Sequence, residues 1–143
     1  MKPRVRILLV EDETLLRAQL TDALEAARYD VIPADSADQA LFFACSSRAG
    51  LHPQLLIVDQ AMRGRSGADL VRALRARETL RWRPILGISA LAASRETLLA
   101  AGACDFLLTP VEPDALLAAV RGLLARCRLD GACPCPLPIR TRR

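Results

Sequence analysis

The chain has 143 residues, of which 52% are hydrophobic, with a net charge of +4 and a pI near 9.1. That is about one domain with enough apolar side chains for a core, which excludes a wholly disordered chain. No apolar run approaches the roughly 18 residues of a membrane span, and acids arrive too early for a signal peptide, so a cytoplasmic location is expected.

In chain order, short apolar runs alternate with amphipathic segments. Strands are predicted at 5–10 (VRILLV), 31–34 (VIPA), 55–58 (LLIV), 85–89 (ILGIS) and 104–108 (CDFLL), and helices at about 13–27, 36–47, 67–77, 93–101 and 112–127. The apolar runs lack polar alternation, which fits parallel strands covered on both faces. Ser36 and Ser66 are placed to cap helices, Glu112-Pro113-Asp114 gives an acidic first turn, and Leu116, Val120, Leu123 and Cys127 share a helix face. Five strands and five helices in alternation predict an α/β fold, a doubly wound five-stranded parallel sheet.

The charge is unevenly spread. Residues 121–143 hold six arginines against Asp130 alone, whereas residues 1–120 hold 14 basic and 15 acidic groups. The basicity therefore reads as a solvated end rather than a nucleic-acid surface. Residues 1–128 form the expected domain, and 129–143 an irregular tail rich in Pro, Cys and Arg. The five cysteines do not make a disulfide framework, and Cys45, Cys104 and Cys127 are expected as buried thiols. Cys127, Cys133 and Cys135 match zinc poorly, because the Cys133–Cys135 spacer is one residue and the single histidine, His52, lies at the far end of the third strand.

In a doubly wound fold, polar chemistry gathers outside the carboxyl ends of the strands. The first strand ends in Glu11-Asp12-Glu13, the third in Asp59, the fourth in Ser89 and the fifth in Thr109-Pro110. Carboxylates from two strands thus converge, and an oxygen-only set with open positions suits Mg²⁺. Helix capping alone would account for Glu11 to Glu13. It would not account for Asp59, which is several residues from the next helix.

The ordered set ILLVEDE, LLIVDQAMRGRSG, ISA and GACDFLLTP resembles the receiver domain of bacterial two-component response regulators, of which CheY-like single domains are one form, over about residues 4–127. The resemblance implies the flavodoxin-like fold and Asp59 as the phosphoacceptor, with a phosphohistidine on a sensor histidine kinase or histidine phosphotransfer protein as donor. It implies Mg²⁺ held by Asp12, Asp59 and the backbone carbonyl of Ala61, with Glu11 acting through water. It also makes Ser89 the switch hydroxyl and Phe106 the aromatic coupled to it. The expected chemistry is Mg²⁺-assisted gain and loss of a phosphoryl group on Asp59, not enzymatic turnover of an outside substrate.

Two positions depart from the family pattern. Arg63 stands where proline is usual, although Gly64 and Gly67 can still supply the tight backbone. Thr109 stands where lysine is usual, and the chain's single lysine, Lys2, lies before the first strand. Pro110 remains, and the peptide before it is expected to be cis. A haloacid-dehalogenase-type phosphatase needs a second Asp two residues after the first, where this chain has Ala61, and a flavin site would need a phosphate loop where EDETLL stands. The alternative kept open is a pseudo-receiver, a phosphorylation-independent protein-binding module favoured by Thr109. About 16 residues follow the last helix, too few for a helix-turn-helix, so a stand-alone receiver without a DNA-binding domain is expected. It would pass its signal by phosphotransfer or by docking its fourth-helix, fifth-strand and fifth-helix face onto an unidentified downstream protein, with a homodimer through the same face as one such pairing.

Overall fold

The computed structural model describes residues 4–46, 52–77, 80, 81 and 83–127. Residues 128–143, and with them the expected irregular tail and its zinc question, lie outside the described residues. In chain order the elements are β1 (Arg6–Val10), α1 (Thr14–Ala26), β2 (Asp30–Ala34), α2 (Ala37–Ala44), β3 (Leu55–Asp59), α3 (Gly67–Ala76), β4 (Ile85–Ser89), α4 (Ser94–Ala101), β5 (Asp105–Leu108) and α5 (Pro113–Arg126). The five strands form one parallel sheet in the order β2-β1-β3-β4-β5.

The sequence reading and the structure differ mainly at helix ends, because caps were counted as helix. Ser36 caps α2 by accepting from the Gln39 N–H, and Ser66 caps α3 by accepting from the Asp69 N–H. The second helix stops at Ala44, three residues before its expected end.

Alternate residues of the central strands feed two cores, as the pleat requires. Leu8, Val10, Leu56 and Val58 meet Ala40, Leu70, Val71, Leu74 and Leu98 from α2, α3 and α4. Ile7, Leu9, Leu55, Ile57, Leu86 and Ile88 meet Leu20, Leu24, Leu116, Val120 and Leu123 from α1 and α5. Coverage on both faces holds for β1, β3 and β4. The edge strands depart from it: β2 is half-buried with Pro33 exposed, where its missing N–H costs no sheet hydrogen bond, and in β5 only Phe106 is buried.

Arg75, on the same face of α3 as Val71, is 5% exposed. Its guanidinium donates to the carbonyls of Gly102 (2.9 and 2.8 Å), Arg81 (2.8 Å) and Arg83 (2.6 Å), and to Cys104 Sγ (3.3 Å). Burial lowers its pKa to about 10, so it stays charged at neutral pH. The cysteine expectation holds only in part. Cys127 is buried, Cys45 is exposed at the C-terminal cap of α2, and Cys104 is half-buried and in a disulfide rather than a buried thiol. Among the described residues, no helix is long and apolar enough to cross a membrane.

Candidate functional site

Pairing of β1 with β3, with Val10 opposite Val58, brings the residues after both strands side by side. One carboxylate oxygen from each of Glu11, Asp12 and Asp59 lies within 4.8 Å of the others. Glu11 is 2% exposed and Asp59 7% exposed, while Asp12 is half-buried. Glu11 Oε2 accepts from the Glu13 N–H at 3.2 Å, and its Oε1 is buried with no hydrogen-bond partner. Burial, reinforced by the Asp59 charge, pushes the Glu11 carboxyl up to about 8. Burial also raises Asp59, against opposing hydrogen bonds from Glu11 and the Ala61 backbone.

Two crowded carboxylates that cannot both ionise cheaply form a site that gains by taking a cation. The orphaned Oε1 and the all-oxygen donor set fit Mg²⁺, which Glu11, Asp12 and Asp59 could hold. Asp12→Ala should weaken Mg²⁺ binding about tenfold or more in a calorimetric titration; unchanged affinity would remove Asp12 from the site.

The loop after Asp59 is held from several sides. The Gln60 N–H donates to the Ile88 carbonyl at 3.0 Å, and the Gln60 carbonyl accepts from the N–H groups of Met62 (3.2 Å) and Gly67 (3.1 Å). Gln60 Oε1 accepts from the Ala68 N–H at 2.8 Å, satisfying a free donor of the first turn of α3. Gly64 turns the loop with φ +82°. The Arg63 N–H donates to Asp12 Oδ2 at 3.0 Å, a bond that a proline could not make, and the Arg63 Nε lies 3.7 Å from the same oxygen. Arg17 of α1 also reaches the cluster, its Nη1 donating to the Glu11 carbonyl at 2.8 Å.

Ser89 and Thr109 complete the rim. Ser89 is fully buried; its Oγ donates to Ser94 Oγ at 3.0 Å and accepts from the Leu91 N–H at 3.1 Å. Thr109 is half-buried, its N–H donates to the Ser89 carbonyl at 2.8 Å, and the Thr109–Pro110 peptide is cis. Phe106 is buried in the same core cluster as Leu98 of α4. Ala61 is exposed in the loop after Asp59. All the residues singled out in the sequence thus lie at the carboxyl edge of the sheet except Phe106, inside the neighbouring core. The sequence reading missed Gln60, Arg17 and Ser94. Only the Gln60 amide, one residue past a strand-end acid and seven before a capped helix, carried any local signal.

A 2-1-3-4-5 parallel sheet with an acidic crevice at its carboxyl edge defines the flavodoxin-like architecture of CheY-like signalling domains. The response regulator receiver domain family matches residues 7–121, and the chain belongs to that family. It is 32% identical over 125 residues to the DNA-binding response regulator MtrA of Mycobacterium tuberculosis, covering 86% of this chain and 52% of MtrA. It is 30% identical over 122 residues to the phosphate regulon transcriptional regulatory protein PhoB of Pseudomonas aeruginosa, covering 84% and 52%. The chain therefore spans about half the length of the curated relatives it matches. A putative response regulator from Chloroflexus aurantiacus superposes with a TM-score of 0.80 at 28% identity, covering 87% of this chain and 100% of that one. The receiver domain of the sensor histidine kinase PA1611 from Pseudomonas aeruginosa, with a magnesium ion coordinated in its active-site cleft, superposes at 0.78 and 26% identity, covering 86% and 99%.

Proposed function

We propose that this receiver accepts a phosphoryl group on Asp59 from a phosphohistidine of a sensor histidine kinase or phosphotransfer protein, and passes the signal on by protein contact. The observation that carries this reading is the meeting of Glu11, Asp12 and Asp59, with an unpartnered buried oxygen, beside the buried hydroxyl of Ser89. Mg²⁺, when bound by Asp12, Asp59 and the Ala61 carbonyl, would neutralise charge between the carboxylates and the incoming phosphoryl oxygens. Asp59 is the nucleophile. Its loop, fixed by Gln60, sets the line of approach, which matters because phosphoryl transfer depends on alignment more than on nucleophilic strength.

Ser89 is the switch group, and in this conformation its hydroxyl is committed to Ser94. Turning it toward a phosphoryl oxygen costs that bond and would draw the β4–α4 loop with it, a two-state bias rather than turnover. Ser94→Ala should therefore favour the switched state about fivefold, the worth of one net hydrogen bond. Amide chemical shifts of Leu91 and Phe106 at partial phosphorylation would report it; unchanged populations would free Ser94 of this role. The face made by α4, β5 and α5 is a candidate docking or homodimer surface, with Leu108 half-exposed on it and Leu91 exposed beside it.

Mass spectrometry after incubation with Mg²⁺ and phosphoramidate tests the core of the reading: wild type should gain one phosphoryl group and Asp59→Asn none. Thr109 gives the site one positive charge fewer than a lysine would, so Thr109→Lys should speed phosphorylation about tenfold. Equal rates would show that Thr109 is no deficit. A phosphorylation-independent binding module, the second reading, is favoured by Thr109 and would be supported by failure of both forms to take phosphate.

A further inference from the structure

Once phosphorylated, the crevice would hold two carboxyl groups, Glu11 and Asp12, beside the phosphoryl group on Asp59, so cations near it decide how readily it fills. Among the described residues, two arginines contact the residues of this cluster. Arg17 is committed to the Glu11 carbonyl at 2.8 Å. Arg63 differs. Its backbone is pinned to Asp12 by the 3.0 Å N–H bond, so its position on the rim is fixed. Its side chain is 92% exposed, and its Nε stands only 3.7 Å from Asp12 Oδ2, a loose pairing that a long side chain can leave at little cost. Asp12 in turn lies within 4.8 Å of Asp59, so a guanidinium anchored there is within a side chain's swing of anything attached to Asp59.

We propose that Arg63 is the mobile cation of this site: it exchanges Asp12 for the phosphoryl oxygens as the group transfers, and so takes over the charge that Thr109 does not provide. The inference rests on the receiver reading above. In the transfer from phosphoramidate, the P–N bond breaks with its electron pair going to the already protonated nitrogen, which leaves as ammonia. The new P–O bond forms from an Asp59 carboxylate oxygen, and negative charge on the three equatorial oxygens is what the guanidinium would meet. Before transfer, the same guanidinium sits on a metal ligand and opposes Mg²⁺ by like charge. Arg63 thus acts in opposite senses on the two steps, which a residue that merely shapes the loop would not do.

Arg63→Ala keeps the backbone N–H and removes only the cation. It should bind Mg²⁺ about two- to fivefold more tightly in a calorimetric titration, yet phosphorylate about three- to tenfold more slowly at saturating Mg²⁺, a modest range because the group is exposed. Arg63→Lys should recover part of the rate. In a Thr109→Lys background the same Arg63→Ala change should alter the rate less than about twofold, since a lysine at the rim would meet the phosphoryl oxygens in place of the exposed and more loosely held arginine. An equal loss in both backgrounds, an unchanged rate, or weaker Mg²⁺ binding together with the slower rate would each overturn the assignment while leaving the receiver reading intact. Failure of the wild type to form an acyl phosphate would overturn both.

Discussion

Gly67→Ala is expected to cost about 3 kcal/mol or more of stability and to disrupt the site at the same time. A Cβ at position 67 would fall on the carbonyl oxygen of Asp59 and would lie 2.8 Å from both the Asp59 carbonyl carbon and the Gln60 Cα. All three are backbone atoms at the end of a fully buried central strand, with no flexible side chain to give way. The start of α3 would have to lift. It would then release the Gly67 and Ala68 N–H groups from Gln60 and unpack Leu70 and Leu74 from the sheet. Overpacking usually costs about 1–3 kcal/mol, and the lost hydrogen bonds add to it. Urea denaturation would measure the loss, and Gly122→Ala is the control of opposite sign. Gly122 lies within α5 with nothing near its missing Cβ, so alanine should stabilise there by about 0.5–1 kcal/mol. A Gly67→Ala protein as stable as wild type would mean that α3 does not rest on the acceptor strand.

The second large effect is a coupling of Mg²⁺ to protons. In the metal-free protein, burial and Asp59 raise Glu11 from 4.5 to about 8, so between these values the unfolded chain ionises Glu11 while the folded one keeps its proton. Stability contributed by this group is complete below about pH 4.5, falls as pH rises through the window, and is lost above about pH 8. Asp59, raised in the same direction by burial, adds to the slope with the same sign. A cation favours the ionised carboxylate, so Mg²⁺ uptake should expel up to one proton, and affinity should climb by as much as about tenfold per pH unit toward pH 8. Thermal unfolding with and without Mg²⁺ across this range should show the largest stabilisation by the ion at its alkaline end. Glu11→Gln should flatten both the metal-free slope and the proton release, measured by titrating in buffers of different ionisation enthalpy. Mg²⁺ affinity independent of pH would show that Glu11 is already ionised without metal.

What could be read from the sequence followed from local pattern. Unbroken apolar runs gave β1, β3 and β4, Ser36 and Ser66 marked two helix starts, and acids at strand ends marked Glu11, Asp12 and Asp59 before any contact was known. The edge positions of β2 and β5 were less legible, because VIPA and CDFLL are as apolar as central strands and only Pro33 hints at an edge. Side-chain commitments set by packing were invisible. Arg75 follows Val71 by four residues and so shares the buried face of α3, but an arginine is read as solvent-facing by type, and its burial depends on carbonyls that come from the chain before β4 and the end of α4. Ser94 became the partner of Ser89 only because α4 begins where it does. Cys45 looked like a core thiol by type, but the early stop of α2 leaves it at the surface.

The Arg75 contacts have a mechanical meaning. By holding the Gly102 carbonyl from α3, and the Arg81 and Arg83 carbonyls with the same guanidinium, Arg75 rivets the trailing end of α4 to the segment leading into β4. The leading end is fastened more lightly, through the Ser89 hydroxyl, which bonds Ser94 Oγ and the Leu91 N–H. A rod fixed firmly at one end and lightly at the other does not slide; it pivots. Any displacement of α4 that spares the Arg75 bonds is a swing about Gly102, with its amplitude greatest at Leu91 and Ser94 and vanishing near Ala101. On the receiver reading proposed above, the far end of that arc, beside the acidic crevice, is where a small change at Asp59 would become a movement large enough for a partner to feel.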